Sequence, residues 1–128
     1  MIFRRSLFKC GSFKLHSGQM SGWKIDCDAL IKEDWETLAF IARELMLPFG
    51  STYGIPKGGT LLANLMEPFC TKGPMLICDD VLTTGKSMEE ARKNYPYANG
   101  LVVFARAAPP QWVTPIFQMR GIATVANC

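Results

Sequence analysis

The sequence predicts an α/β fold in which a doubly wound, mainly parallel sheet is flanked by helices. Three stretches carry that prediction. Residues 75–87, MLICDDVLTTGKS, pass from an apolar run through paired carboxylates into a small polar turn, and SMEEARKN, beginning at that turn's last residue, reads as helix. Residues 51–59, STYGIPKGG, read as a short strand entering a glycine-rich loop, with the apolar helical segment TLLANLM behind it. Residues 101–106, LVVFAR, form a third apolar run, closed by a cation. Short apolar runs bounded by turn signals suit the buried strands of a parallel sheet. The fifteen residues 60–74 are long enough for one strand-helix-strand crossover and nothing more.

The remaining elements follow in order. Around Ser17-Gly18-Gln19-Met20-Ser21-Gly22, the pairs Phe13/Leu15 and Trp23/Ile25 alternate with polar neighbours, which predicts two short strands or a looped arm. Residues 34–47, DWETLAFIARELML, space Trp35, Leu38, Ile41 or Ala42, and Leu45 at helical intervals behind Glu33, Asp34 and Glu36, so an amphipathic helix is expected until Pro48 and Gly50. Trp35 and Phe40 read as core. A helix over residues 88–94 should stop at Tyr95-Pro96, and Asn99-Gly100 should turn the chain into the LVVFAR strand. Residues 107–111, AAPPQ, read as a proline-stiffened loop at the same edge of the sheet, placed to act as a lid, and Trp23 and Trp112 are candidates to stack on a heterocycle. The tail is strand-like, and Pro115 suggests an edge position.

With 128 residues the chain reads as a single domain, 1–128. Hydrophobic content of 48% against 20% charged residues excludes a disordered chain. A net charge of +3 suits an anionic substrate without the basic stripe of a nucleic-acid binder. Five cysteines without zinc-type spacing, an odd number and no secretory leader predict reduced thiols and a cytoplasmic protein. No stretch approaches transmembrane length, so no membrane partner is expected.

The chemistry concentrates at residues 75–87. Ligands of open α/β sheets bind beyond the carboxyl ends of the strands, where Asp79 and Asp80 should lie. Successive strand side chains point to opposite faces, so one carboxylate is expected in a given pocket unless the strand has ended. A helix starting near Lys86 offers unpaired N–H groups, and hydroxyl residues beside them make a phosphate cradle. Carboxylates suit hydroxyls and the cradle suits phosphate, which together describe a phosphorylated sugar. The rival reading of Gly85-Lys86-Ser87 as a nucleotide-triphosphate loop requires a glycine five positions before Gly85, where Asp80 stands.

LICDDVLTTGKS resembles the signature of the type I phosphoribosyltransferases. The segment KLHSGQMSGWKID resembles the N-terminal hood of their orotate branch, which makes residues 1–30 a hood on the base side. The resemblance implies that Asp79 and Asp80 hold the ribose hydroxyls of phosphoribosyl pyrophosphate and act as the catalytic pair. It places the 5-phosphate on Thr83, Thr84, Gly85, Lys86 and Ser87, and the pyrophosphate on Lys57, Gly58 and Gly59, in a loop that carries a cis peptide in the family. It puts His16, Trp23, Lys24 and Arg106 on the base side, with Arg106 available to the carboxylate of orotate.

The implied activity is transfer of the phosphoribosyl group to a ring nitrogen of orotate or a related pyrimidine, in a homodimer, with Mg²⁺ held by phosphate oxygens and no direct protein ligand. A purine acceptor and a non-catalytic phosphoribosyl-pyrophosphate-binding module are the alternatives. The chain departs from the family's pattern at His16, where a lysine is usual, and at Gln19, where an arginine is usual. Its short 60–74 interval lacks the family's mobile loop and holds one cation, Lys72.

Overall fold

The computed structural model describes residues 5–15 and 18–120. An antiparallel hairpin, β1 (Phe8–Lys14) and β2 (Met20–Ile25), leads through a 3-10 turn, Cys27–Ala29, into helix α1 (Lys32–Leu45). A parallel sheet then forms from β3 (Ser51–Gly54), β4 (Met75–Leu82), β5 (Asn99–Ala105) and β6 (Val113–Gln118), in that spatial order. Helix α2 (Thr60–Met66), prolonged by a 3-10 turn at Glu67–Phe69, joins β3 to β4, and α3 (Lys86–Asn94) joins β4 to β5. No helix among the described residues is long and apolar enough to cross a membrane.

Helices cover both faces of the sheet. Trp35, Leu38 and Ala42 of α1 and Leu62 and Met66 of α2 pack with Leu76, Cys78, Leu101 and Val103. Met88 of α3 packs on the other face with Ile77, Val102 and Val113. The strands step in one direction while α2 and α3 lie on opposite faces, so the two crossovers have opposite hands, one of them against the right-handed norm.

Helix α1 forms where its apolar spacing places it, with Asp34 Oδ2 accepting from the Ile31 N–H at its start. Its inner stripe is Trp35, Leu38, Ala39 and Ala42. Phe40 was expected in the core but is 57% exposed, because one step beyond Ala39 turns a side chain about 100° away from the stripe.

The β5–β6 connection also differs from expectation. Parallel pairing of Gly100 with Val113 requires residues 106–112 to return along the strand, ending in a turn in which the Val113 N–H donates to Pro110 C=O at 3.0 Å. The segment therefore crosses the α3 face, with Ala107 and Trp112 packed into that core and Gly100 N–H donating to Trp112 C=O at 2.8 Å. It is a structural crossover, not a lid at the carboxyl edge. Trp112 is likewise no stacking surface for a ligand: its indole donates to Glu89 Oε1 at 3.1 Å, and the Arg92 guanidinium lies 4.4 Å from its ring. As Pro115 suggests, β6 lies at the edge of the sheet among the described residues.

The hairpin is fastened at several points. Phe8 meets Phe104 edge-on, Leu7 and Ile25 pack against the α1/α2 core, and buried Asp26 pairs with Arg5 and Lys9 at 2.9 Å each. The bond from Lys9, joined by Arg5 and the Asp28 N–H, outweighs burial and holds the Asp26 carboxyl down at about 2.

Candidate functional site

The carboxyl ends of the sheet strands, the first turn of α3, the loop before α2, and the inner side of the hairpin surround a cavity of about 1550 Å³. Both Asp79 and Asp80 line it. Strict alternation would have sent one away, but the pattern slips across the pair: Cys78 and Val81 both pack toward α1 and α2, while Ile77 and Leu82 both pack toward α3. The carboxylates also fold back on the chain, Asp79 Oδ1 accepting from Asp80 N–H at 2.8 Å and Asp80 Oδ1 from Val81 N–H at 2.7 Å. Burial, then the charge of Asp80, raises the Asp79 carboxyl well above the ordinary range.

Thr83, Thr84, Gly85, Lys86 and Ser87 all line the same cavity. Gly85 takes φ of 83° at the N-cap of α3, a left-handed turn that glycine makes without a Cβ penalty. Gly85 has no side chain to cap the helix; the Lys86 N–H donates to Thr84 Oγ1 at 3.4 Å, and the following N–H groups of the first turn can take an anion.

The loop after β3 reaches the acidic pair from the other side. Lys57 and Gly58 line the cavity, and the Pro56–Lys57 peptide is cis. A Cβ on Gly58 would lie 2.4 Å from Asp80 Oδ2, so the absence of a side chain lets the two loops meet. Gly59 is buried behind them, outside the cavity lining; a Cβ there would lie 2.0 Å from the Cys78 carbonyl oxygen. Its part is to seat the loop on β4.

On the base side, Lys24 and Arg106 line the cavity. Trp23 stands behind Arg106 instead of in the lining: the guanidinium carbon is 3.5 Å from the indole centroid, Nη1 donates to Trp23 C=O at 3.2 Å, and Nη2 donates to Ser21 Oγ at 3.0 Å. His16 lies outside the described residues.

Several lining residues were not anticipated from sequence, among them Lys14 at the end of β1, Lys32 at the start of α1, and Cys27. The two lysines had a usable signal, as cations at the mouth-facing ends of predicted elements. Cys27 had none; its thiol, driven up by burial and then by Asp80, is a wall and not a nucleophile. Among the described residues no group of three or more histidines, cysteines or carboxylates is placed to hold a metal.

No protein-family model matches the sequence, and the search of the curated proteins found no match. Solved structures are. UMP synthase of Leishmania donovani superimposes with a TM-score of 0.70 at 17% identity, over 88% of this chain and 34% of that one, so the chain spans about a third of that protein. Orotate phosphoribosyltransferase from Aeropyrum pernix gives 0.65 at 19% identity, over 95% of this chain and 94% of its own. The chain has the type I phosphoribosyltransferase fold. The enzyme of Mycobacterium tuberculosis H37Rv, in complex with inorganic phosphate, gives 0.64 at 15% identity over 85% of this chain and 86% of its own. This fold is thus formed by a chain whose 60–74 crossover is fifteen residues long.

Proposed function

We propose that this protein transfers a 5-phosphoribosyl group from phosphoribosyl pyrophosphate to a ring nitrogen of orotate or a related acidic pyrimidine, releasing pyrophosphate. The observation that carries the reading is convergence: Asp79 and Asp80 with the Thr83–Ser87 turn that follows them, Lys57-Gly58, and Arg106 face one cavity from three separate segments.

The bond from the anomeric carbon to the pyrophosphate oxygen breaks as the bond to the base nitrogen forms, and positive charge develops on the sugar. Asp79 and Asp80 accept the ribose hydroxyls, and their negative charge lies beside the developing cation. The N–H groups at the start of α3 and the hydroxyls of Thr83, Thr84 and Ser87 hold the 5-phosphate. Lys57 and the loop backbone take the charge that accumulates on the leaving pyrophosphate. Arg106 receives the acidic group of the base. No nucleophilic side chain is required, and positioning supplies much of the rate.

The acidic pair fits Mg²⁺, a hard cation that keeps several waters and needs few protein ligands. Asp79 and Asp80 would hold it through water or through the sugar, and when bound it supplies charge neutralisation to the phosphate oxygens. The same reading implies a cytoplasmic homodimer, testable by sedimentation.

A second reading, a module that binds phosphoribosyl pyrophosphate without turnover, draws support from Lys72, which is exposed and outside the cavity. Calorimetry with phosphoribosyl pyrophosphate and Mg²⁺, then pyrophosphate release with orotate, uracil, hypoxanthine, guanine and xanthine, separates the two. Release with orotate supports transfer. Binding without release from any base favours the module, and no binding overturns both.

A further inference from the structure

We propose that Ser21 and Trp23 of β2 are positioning residues: they hold Arg106 with neutral groups so that its uncompensated charge is presented to the acidic group of the acceptor base, and they thereby set selectivity for an acidic base. This rests on the phosphoribosyl-transfer reading.

Arg106 follows the last residue of β5, and its backbone N–H donates to Leu82 C=O at 2.8 Å, which ties its root to the end of β4. Its head is held by the hairpin. The Ser21 hydroxyl donates its proton to Trp23 C=O and accepts from Trp23 N–H at 3.2 Å, so its oxygen is oriented before Arg106 arrives. Nη2 then donates to that oxygen and Nη1 to the Trp23 carbonyl, while the indole covers one face of the guanidinium. A guanidinium has more N–H donors than these two acceptors use.

Every group in this clamp is neutral. Among the described residues no carboxylate forms an ion pair with Arg106, although burial disfavours its charge. A carboxylate clamp would have spent that charge. A neutral one fixes the plane, covers a face and leaves the cation to a ligand at the cavity wall, where a planar carboxylate can be met by paired N–H groups. The alternative, that these contacts only fasten the hairpin to the sheet, has competition: Phe8 on Phe104, and Leu7 and Ile25 against the α1/α2 core, already fasten it.

The test compares kcat/KM for orotate with that for uracil, a pyrimidine lacking the carboxylate, in wild type, Ser21→Ala and Ser21→Thr. The clamp predicts that Ser21→Ala lowers the orotate-to-uracil ratio roughly tenfold, as expected for one charge-assisted hydrogen bond, and that Ser21→Thr restores part of it. An equal fall for both bases, or no change in the ratio, overturns the proposal. If wild type turns over no base, the transfer reading has failed separately, and calorimetric affinities for orotate and uracil decide the clamp: a preference for orotate lost in Ser21→Ala supports it, while an unaltered or absent preference overturns it.

Discussion

The two carboxylates of the half-buried acidic pair do different work, because desolvation raises Asp79 and the Asp80 side chain meets the neighbouring loop. Asp80→Asn keeps the shape and removes the charge that faces the sugar. Its expected effect is a loss of about tenfold or more in affinity for phosphoribosyl pyrophosphate, on the scale of a hydrogen bond to a charged group. Calorimetry beside a thermal melt checks this, and unchanged affinity would remove Asp80 from the site. Asp79 carries the opposite linkage to most acids. Its folded pKa lies above the ordinary 3.8, so above that pH the unfolded chain releases a proton that the native state still holds. The stability that this protonation contributes is complete at low pH and is lost as pH rises through the raised value. Urea titrations of wild type and Asp79→Asn should therefore diverge with rising pH, the variant becoming relatively more stable. A constant difference between the two would refute the assignment.

The adjacent glycines make a matched pair. In Gly59→Ala the new Cβ meets a backbone carbonyl of β4, and in Gly58→Ala it meets the end of the Asp80 side chain. The first should lower the melting temperature. The second should chiefly weaken ligand binding with the melting temperature retained, since a side-chain tip moves more readily than a strand. Equal losses of stability in both would contradict this division.

Among the elements, the hairpin is closed at its open end by its own ion pairs. Asp26, held at about 2 by Lys9 and Arg5, contributes stability that is present above 3.8 and is lost as pH falls through the folded value. Asp26→Asn should accelerate amide exchange in β1 and β2 at neutral pH more than in β4 and β5; uniform exchange would show that the ion pairs do not hold the hairpin. Helices α1 and α3 and strands β3, β4 and β5 were readable because apolar spacing, acidic first turns, and Pro or Gly stops lie within a few residues of the elements they define. The β5–β6 connection was not, because a loop at the strand end and a crossover that returns along the sheet have the same local composition. Phe40 misled for a related reason: its hydrophobicity fits either side of a helix, and only its angle to the stripe decides.

The whole molecule is held by two cores on either face of one short sheet. Leu62, fully buried in the α1/α2 core, should cost about 2–5 kcal/mol when truncated to alanine. That is a large part of the stability of a small domain, and chemical denaturation measures it. Local order along the chain determined the strand, the acidic pair, the Thr-Thr-Gly-Lys-Ser turn, the helix behind it and the glycine loop, since each depends on near neighbours and on a repeat of two or about 3.6 residues. Packing alone decided that both aspartates reach one cavity, that residues 106–112 cross the α3 face, and that Arg106 is held by Ser21, a residue 85 positions earlier. Those outcomes depend on which distant surfaces meet and on the space between them, and no local periodicity records that.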